Sequence, residues 1–90
     1  SAYTLVASDE QKLITTTAAI TVPSGVFSAS DAVTIFNNSG SGFYIFQGSG
    51  TTLYLAGTAT SGNRFLAGRG VATIICVGTN TFAVTGGGLT

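Results

Sequence analysis

Residues 71–84 read VATIICVGTNTFAV and carry the clearest fold signal in the chain. Two runs rich in Val, Ile, Thr and Phe flank the loop at residues 78–80, and β-branched and aromatic residues favour strands. A short loop of turn-forming residues between two such runs is typical of a tight β-hairpin. The stretch therefore predicts two antiparallel strands, Val71–Val77 and Thr81–Val84.

The same pattern continues toward the N-terminus. Short apolar and β-branched runs alternate with clusters of Gly, Ser and Asn, which is the signature of an all-β domain. One short helical turn is expected after Ser8, with Gln11 as its capping partner. We predict a single domain over residues 1–90, a small antiparallel β-sandwich or barrel-like fold. The remaining predicted strands are Tyr3–Val6, Leu13–Thr16, Ala19–Val22, Ala32–Asn37, Phe43–Gln47 and Thr52–Leu55.

Two of these strands follow similar glycine-serine turns. Residues 40–46 read GSGFYIF and residues 48–55 read GSGTTLYL. This spacing, about one strand plus one turn, predicts that Phe43–Gln47 and Thr52–Leu55 are consecutive hairpin strands. Two copies are too few for a solenoid, which needs at least about three repeats.

The chain carries very little charge. Charged residues make up 7% of the sequence and the formal net charge is zero, against roughly 25% charged residues in an ordinary domain. Nucleic-acid binding depends on basic residues that neutralise phosphates, and anionic membranes attract basic patches. We therefore expect neither partner. With 44% hydrophobic residues and little charge to keep copies apart, the chain is expected to assemble.

Residues suited to catalysis are scarce. Histidine is absent, which removes the commonest general base and metal ligand and any Ser-His-Asp arrangement. Asp9 and Glu10 are adjacent on the predicted turn, so they are expected to point apart into solvent. Cys76 lies in the most hydrophobic strand, where a free cysteine usually behaves as a small buried apolar residue. We predict no enzymatic activity, no metal and no cofactor.

Aromatic residues are the strongest candidates for an interface. Apolar residues occupy both faces of the strand at residues 43–46, whereas a strand with one wet face should alternate. We predict that Phe43, Tyr44, Phe46 and Tyr54 are divided between a core and a subunit interface. The alternative is that the two tyrosines form ordinary cross-strand surface pairs.

Two arginines are further interface candidates. Arg64 and Arg69 bracket an apolar segment, and a planar guanidinium can bind a carboxylate of a partner subunit through two hydrogen bonds. The alternative is a surface arginine whose stem covers apolar atoms. Asp31 is a plausible acceptor, within the chain or across an interface.

The order of several short motifs resembles a small β module of tailed-bacteriophage virion proteins, often the last segment of tail-fibre and other tail proteins. One departure is Gln11, where the resemblance implies a glycine in an Asp-x-Gly-Lys turn. The resemblance implies a structural role on the virion surface, usually as a trimer, and brings no catalytic residues. The motifs are Tyr3-Thr4-Leu5-Val6, Asp9 to Ile14, Thr21-Val22-Pro23, Val33-Thr34-Ile35, Gln47 to Leu53, Leu55 to Thr60, Gly70 to Ile74 and Asn80 to Gly86.

Two virion functions and one unrelated function follow from these observations. The first is a homotrimeric head-decoration (cement) protein that contacts the major capsid protein, which a complete chain without a shaft would favour. The second is a tail-fibre or tail-tip module that contacts tail proteins or binds a host surface glycan. The third is a free-standing lectin-like module. For a decoration protein that docks through an N-terminal arm, deletion of Ser1–Val6 is expected to abolish capsid binding and leave the fold intact.

Overall fold

A computed structural model describes residues 3–90 of the protein, and within them the fold is all-β. Eight strands and one 3₁₀ turn follow one another along this described part of the chain. The single helical turn that the sequence predicts is therefore confirmed as a 3₁₀ turn. The elements are β1 (Tyr3–Thr4), the turn (Ala7–Asp9), β2 (Leu13–Thr16), β3 (Ile20–Val22), β4 (Ala32–Asn37), β5 (Phe43–Gln47), β6 (Thr52–Leu55), β7 (Arg64–Gly78) and β8 (Thr81–Leu89).

The predicted hairpin is confirmed. Strands β7 and β8 pair antiparallel, with Ile74 opposite Val84, and Asn80 in the connecting turn has a φ of 52°. Asparagine tolerates this left-handed conformation better than most residues. The same residue also accepts a 2.7 Å hydrogen bond from the Gly25 N–H at its side-chain Oδ1, which ties the turn to a distant loop.

Both hairpin strands are longer than the sequence predicts. β7 starts at Arg64 and β8 runs to Leu89, because the glycine-rich stretches at 68–70 and 86–88 belong to the strands. The β7–β8 register shifts between Leu66 and Val71, so the first stretch forms an irregularity within a continuous strand. Glycine inside a strand often marks such a bulge.

The sheet branches at β7. Strand β8 pairs with one edge of β7 along most of its length. The other edge pairs first with β5 through Phe43 and Leu66, and then with β4 through Val33 and Ile74. The path of paired strands is β1-β3-β5-β7-β4-β2, and β6 extends the sheet beyond β8. We call β1-β3-β5 the β5 branch and β2-β4 the β4 branch.

The prediction of an antiparallel fold is wrong for most strand pairs. Four of the seven pairings are parallel, namely β1–β3, β2–β4, β3–β5 and β6–β8. The predicted β5–β6 hairpin does not form, because β5 pairs with β3 and β7 while β6 pairs with β8. Similar turns at similar spacing reveal where strands end but not which strands pair.

Both branches contribute to one hydrophobic core. Ile45 of the β5 branch and Ile35 of the β4 branch are both fully buried. Cys76 is buried as predicted, and its thiol lies 3.1 Å from the Gly78 carbonyl oxygen. The core consists of Leu5, Ile20, Val22, Phe27, Val33, Ile35, Phe43, Ile45, Leu53, Leu66, Ala72, Ile74, Cys76, Phe82 and Val84.

A buried amide holds the loop after β4 against the branch point. The Asn37 side chain is completely buried, and its Nδ2 donates to the carbonyl oxygens of Ser41, Leu66 and Ala67 at 2.8, 3.2 and 3.1 Å. Its Oδ1 accepts a 2.8 Å hydrogen bond from the Ser39 hydroxyl. These bonds satisfy backbone carbonyls at the irregular part of β7, where ladder hydrogen bonds are interrupted.

The N-terminal segment is part of the fold. Leu5 is buried in the core and its N–H donates to the Thr21 carbonyl oxygen. The expectation that deletion of Ser1–Val6 leaves the fold intact is therefore wrong, because the deletion removes Leu5 from the core. Ser1 and Ala2 lie outside the described residues.

The local geometry after β1 also differs from the expected capping. Ser8 lies inside the 3₁₀ turn, which spans Ala7–Asp9, so it does not cap the turn. Gln11 has a φ of 62°, the left-handed conformation that glycine adopts without a steric cost. The glycine that the phage module resemblance implies at this position would therefore suit the observed backbone.

Candidate functional site

Three aromatic rings form an exposed cluster on the β5 branch. The Tyr44 ring centroid lies 5.1 Å from that of Phe65, edge to face, and 5.9 Å from that of Phe46. Tyr44, Phe46 and Phe65 are 50%, 38% and 36% exposed. We call these three residues the aromatic patch. With about 150–250 Å² for a fully exposed aromatic side chain, these fractions leave on the order of 200–300 Å² exposed, at or just below the size of the largest apolar patch on a typical monomer.

Strand register places these rings together. Tyr44 and Phe65 are direct partners in the β5–β7 ladder, so their side chains share one face of the sheet. The Phe65 ring also covers Gly42, where an added Cβ would lie 2.1 Å from a ring carbon. Sequence analysis missed Phe65 as a candidate interface residue because only the pairing of β5 with β7 brings it beside Tyr44.

The other predicted aromatic residues lie elsewhere. Phe43 is buried in the core, on the opposite face of β5 from Tyr44. Tyr54 is 37% exposed and lies on β6, paired with Ala83 of β8. The structure thus brings Tyr44 and Phe46 together, whereas Tyr54 belongs to a second surface and Phe43 to the interior.

The second surface is the outer face of β2, β4, β7, β8 and β6, which we call the threonine face. Its residues alternate with core residues along each strand, and in the described chain none of them is charged. Six of the fourteen are threonines. They are Leu13, Thr15, Ala32, Thr34, Phe36, Thr52, Tyr54, Val71, Thr73, Ile75, Val77, Thr81, Ala83 and Thr85.

A row of threonines crosses the middle of this face. Thr34 of β4 pairs with Thr73 of β7, which pairs with Thr85 of β8, and the hydroxyl oxygens of Thr34 and Thr73 are 3.5 Å apart. These residues are dispersed in the sequence, so no local Thr-x-Thr pattern predicts the row. Small side chains in register give the middle of this face a surface without charged groups.

The two candidate arginines have different environments. Arg64 is buried, and its Nε donates to the carbonyl oxygens of Gly62 and Asn63 at 3.3 and 3.0 Å. Arg69 is exposed and its Nη1 donates to the Asn38 Oδ1 at 2.7 Å. Asn38 directly follows β4, so Arg69 lies at one end of the threonine face.

Two carboxyl groups meet at the opposite end of that face. The Glu10 carboxyl lies beside that of Asp31, the residue before β4, and hydrogen bonding between the two carboxyls is the main cause that raises the pKa of Glu10. Repulsion from the Asp31 charge raises the pKa further, and a loss of hydration beside Asp31 adds the smallest contribution although Glu10 is exposed. Sequence analysis treated these acids as separate, because only the pairing of β2 with β4 brings residues 10 and 31 together.

Asp9 has a structural role rather than the solvent exposure that its sequence context predicts. Its buried carboxylate accepts hydrogen bonds from the Tyr3 hydroxyl at 2.7 Å and from the Val6 N–H at 2.9 Å. The hydrogen bond to Asp9 raises the pKa of the Tyr3 phenol, with smaller contributions from burial and from the Asp9 charge. Asp9 and Glu10 do point apart, but Asp9 points inward.

Within residues 3–90 the candidate sites are exposed sheet faces. No pocket is present on this part of the chain, and it contains no group of three or more Cys, Asp or Glu side chains placed to hold a metal ion. None of its helical structure has the length and apolar character needed to span a bilayer. The two surfaces described above are therefore the candidate sites.

Comparison of the chain with models of protein families, with curated proteins and with solved structures found no match.

Proposed function

We propose that the chain is a non-catalytic structural protein of a tailed-phage virion surface, a homotrimeric decoration (cement) protein that stabilises the head. The threonine face carries this proposal, because an uncharged sheet face suits permanent contact with protein better than exposure to water. The order of motifs that resembles phage virion modules gives the proposal its virion context. The scarcity of ionisable groups supports a non-catalytic role.

The two surfaces suit two kinds of contact. We assign the aromatic patch to the major capsid protein, because clustered aromatic side chains dominate the energetics of many protein interfaces. The threonine face then remains for contacts between copies of the chain. Within each copy, we propose that the β5 branch and the β4 branch form the two layers of a β-sandwich over their shared core. Methyl NOEs between the two branches would test this layering.

Copy number tests the virion role. Quantitative mass spectrometry of purified virions would compare this chain with the major capsid protein. A decoration protein is expected at a copy number comparable with that of the capsid protein, whereas a few copies per particle would indicate a tail appendage. Absence of the chain from virions would rule out both virion roles.

A tail-fibre or tail-tip module that binds a host glycan is the second candidate. The exposed Tyr44 ring favours it, because aromatic rings can stack on sugars and its hydroxyl can donate a hydrogen bond. Tyr44→Ala should abolish glycan binding on an array or by calorimetry, while Tyr54→Ala, outside the aromatic patch, should retain it. Equal binding by the two variants, or none by the wild-type protein, would contradict this candidate.

A further inference from the structure

Arg64 is a buried cation at an inward-facing position of a strand. It lies opposite the fully buried Ile45 in the β5–β7 ladder, and only 8% of its own surface is exposed. The next two residues of β7, Phe65 and Leu66, are exposed and buried in turn, so the alternation predicts an apolar residue at position 64. A residue that contradicts the local pattern of its fold often belongs to a functional site.

The acidic residues of the chain make their contacts away from Arg64. Asp9 bonds to the N-terminal segment, and Glu10 and Asp31 lie beside one another next to the part of β4 that pairs with the far end of β7. These are the three acidic residues of the sequence. Because a buried charge without a partner is costly, the charge of Arg64 calls for an anion from another molecule.

A ring of hydrogen bonds holds the guanidinium in place. The Arg64 Nε donates to the carbonyl oxygens of Gly62 and Asn63. The Gly62 N–H donates to the Leu53 carbonyl oxygen at 2.9 Å, and the Leu53 N–H donates to the Gln47 Oε1 at 2.9 Å. The Gln47 N–H closes the ring by donating to the Asn63 Oδ1 at 2.8 Å. The guanidinium is thus ordered before a partner arrives, which lowers the entropic cost of binding.

Two nitrogens of Arg64 remain for a ligand. Within residues 3–90, Nη1 and Nη2 have no hydrogen-bond partner, and neither is among the unpaired polar atoms that are fully enclosed, so both reach the surface. Their planar fork matches the two oxygens of a carboxylate. One carboxylate neutralises the single positive charge, whereas a phosphate group leaves an excess of negative charge.

The surroundings of Arg64 favour a carboxylate carried by a protein. Small free ligands bind mainly in concave sites, and residues 3–90 have no pocket. Phe46 and Phe65 of the aromatic patch are the chain neighbours of Gln47 and Arg64, so a protein that covers the patch also reaches the guanidinium and excludes water from it. Arginine and aromatic residues are enriched among the residues that dominate interface energetics.

We propose that Arg64 binds the carboxylate of an Asp or Glu side chain of the protein that covers the aromatic patch, through Nη1 and Nη2. This inference rests on the proposed assembly with the major capsid protein and adds the chemistry of the contact. The matching partner surface is apolar and carries one acidic residue at its border. The charge pair fixes the orientation of the partner on the patch.

NMR of the isolated protein tests the site. Arg64 and Arg69 are the two arginines of the sequence, so each gives one Nε–Hε signal and Arg69 is an internal control. Sodium acetate, titrated against sodium chloride at constant ionic strength, should shift the Arg64 signal with half-saturation on the order of 10–100 mM. The Arg69 signal should shift without saturation. Equal behaviour of the two signals, or an unmoved Arg64 signal, would overturn the proposal.

Three further probes test the ligand class. N-acetylglutamate amide carries the proposed side-chain carboxylate and should bind Arg64 at least as tightly as acetate does. Inorganic phosphate and glucuronate should bind no more tightly than acetate. Phosphate binding more than about tenfold tighter would replace the carboxylate with a phosphate group, and glucuronate binding by that margin would replace the protein partner with an acidic sugar.

Substitution tests the partner. Arg64→Met keeps the apolar stem and removes the fork, so it should weaken binding to phage heads that lack the chain by about tenfold or more in co-sedimentation. Arg64→Lys should fall between Arg64→Met and the wild-type protein, because lysine keeps the charge without the planar fork. Arg69→Met should bind as the wild-type protein does. Folded Arg64→Met that binds with wild-type affinity would refute the proposed contact.

These outcomes are separable from the virion role. The acetate titration uses the wild-type protein alone, so it decides the Arg64 site even where Arg64→Met fails to fold. A wild-type protein that binds acetate at Arg64 but does not bind heads would overturn the virion role and leave the carboxylate site. A protein that binds heads without a response of Arg64 to carboxylates would overturn only the further inference.

Discussion

The buried side chain of Thr51 carries a destabilising polar group that a single substitution can remove. Its side chain is buried, and in the described chain its Oγ1 has no hydrogen-bond partner. Thr51→Val keeps the shape and removes the hydroxyl, so it should stabilise the protein by about 1 kcal/mol. Urea unfolding would measure the change.

Thr16→Val is the matched control for that substitution. The Thr16 Oγ1 donates to the Ala18 carbonyl oxygen at 3.3 Å and accepts from the Ala18 N–H at 3.1 Å. Its removal should therefore destabilise the protein by roughly 1 kcal/mol. A destabilised Thr51→Val protein would mean that the Thr51 hydroxyl has a partner, such as a bound water.

The Glu10–Asp31 contact gives stability a specific pH dependence. Because folding raises the pKa of Glu10 above its ordinary value of 4.5, the folded state favours the protonated form. This contribution is fully present below pH 4.5 and is lost as the pH rises through the higher folded pKa. Glu10→Gln keeps a neutral side chain at every pH, so it should raise Tm at pH 7.

The advantage of Glu10→Gln should disappear near pH 3.5, where the wild-type carboxyl is also protonated. Calorimetry at the two pH values would measure the difference in Tm, and Lys12→Gln, a neighbouring change that leaves both carboxyls in place, is the control. A lower Tm for Glu10→Gln at pH 7 would show that the charged form of Glu10 is the favoured one.

At the scale of elements, β8 approaches β7 very closely at Gly86. A Cβ added at Gly86 would lie 1.9 Å from the Val71 carbonyl oxygen and 2.7 Å from the Ala72 Cα. A strand backbone cannot yield easily there, so Gly86→Ala should cost about 3 kcal/mol or more. At the next residue, Gly87, an added Cβ meets nothing within 4 Å.

Gly87→Ala is accordingly the control, with an expected change between zero and a stabilisation of about 1 kcal/mol. Thermal unfolding of the two variants, which differ by one position in the same Gly-Gly-Gly run, would test the register of β7 with β8. Equal stability of the two variants would contradict the pairing of Gly86 with Ala72.

The segment that follows β1 offers a second test at the scale of elements. Leu5 packs in the core, whereas the neighbouring Val6 is 46% exposed. Leu5→Ala should cost about 2–5 kcal/mol, a large part of the roughly 5–13 kcal/mol expected for 90 residues. Val6→Ala should cost under about 1 kcal/mol. Denaturant unfolding would measure both, and equal costs would mean that Leu5 is not a core residue.

The strands themselves were predictable from local sequence, and their partners were not. Residues such as Val33 and Ile74 alternate with polar neighbours or belong to β-branched runs, which marks strands wherever they occur. The parallel pairing of β2 with β4 depends on contacts between segments about 20 residues apart, and no local pattern encodes it. The aromatic patch and the threonine row remained hidden for the same reason, because each is assembled across strands.

At the scale of the whole molecule, self-assembly links stability to concentration. Any contact made by folded chains but not by unfolded ones stabilises the folded state by mass action, by about 2.7 kcal/mol at a hundredfold excess over Kd. At about 4–8 °C per kcal/mol for a domain of this size, this corresponds to a rise in Tm on the order of 10–20 °C as the protein concentration rises to a hundredfold excess over Kd. Differential scanning calorimetry from micromolar to millimolar protein would measure the rise.

The threonine face should account for that rise. Thr85→Glu is expected to remove the dependence of Tm on concentration, because a charge buried without a partner opposes the contact. Thr79→Glu should retain the wild-type slope, and so should Tyr44→Ser, because the aromatic patch is assigned to a different partner. A slope lost in Tyr44→Ser and kept in Thr85→Glu would reverse the assignment and make the aromatic patch the contact between copies.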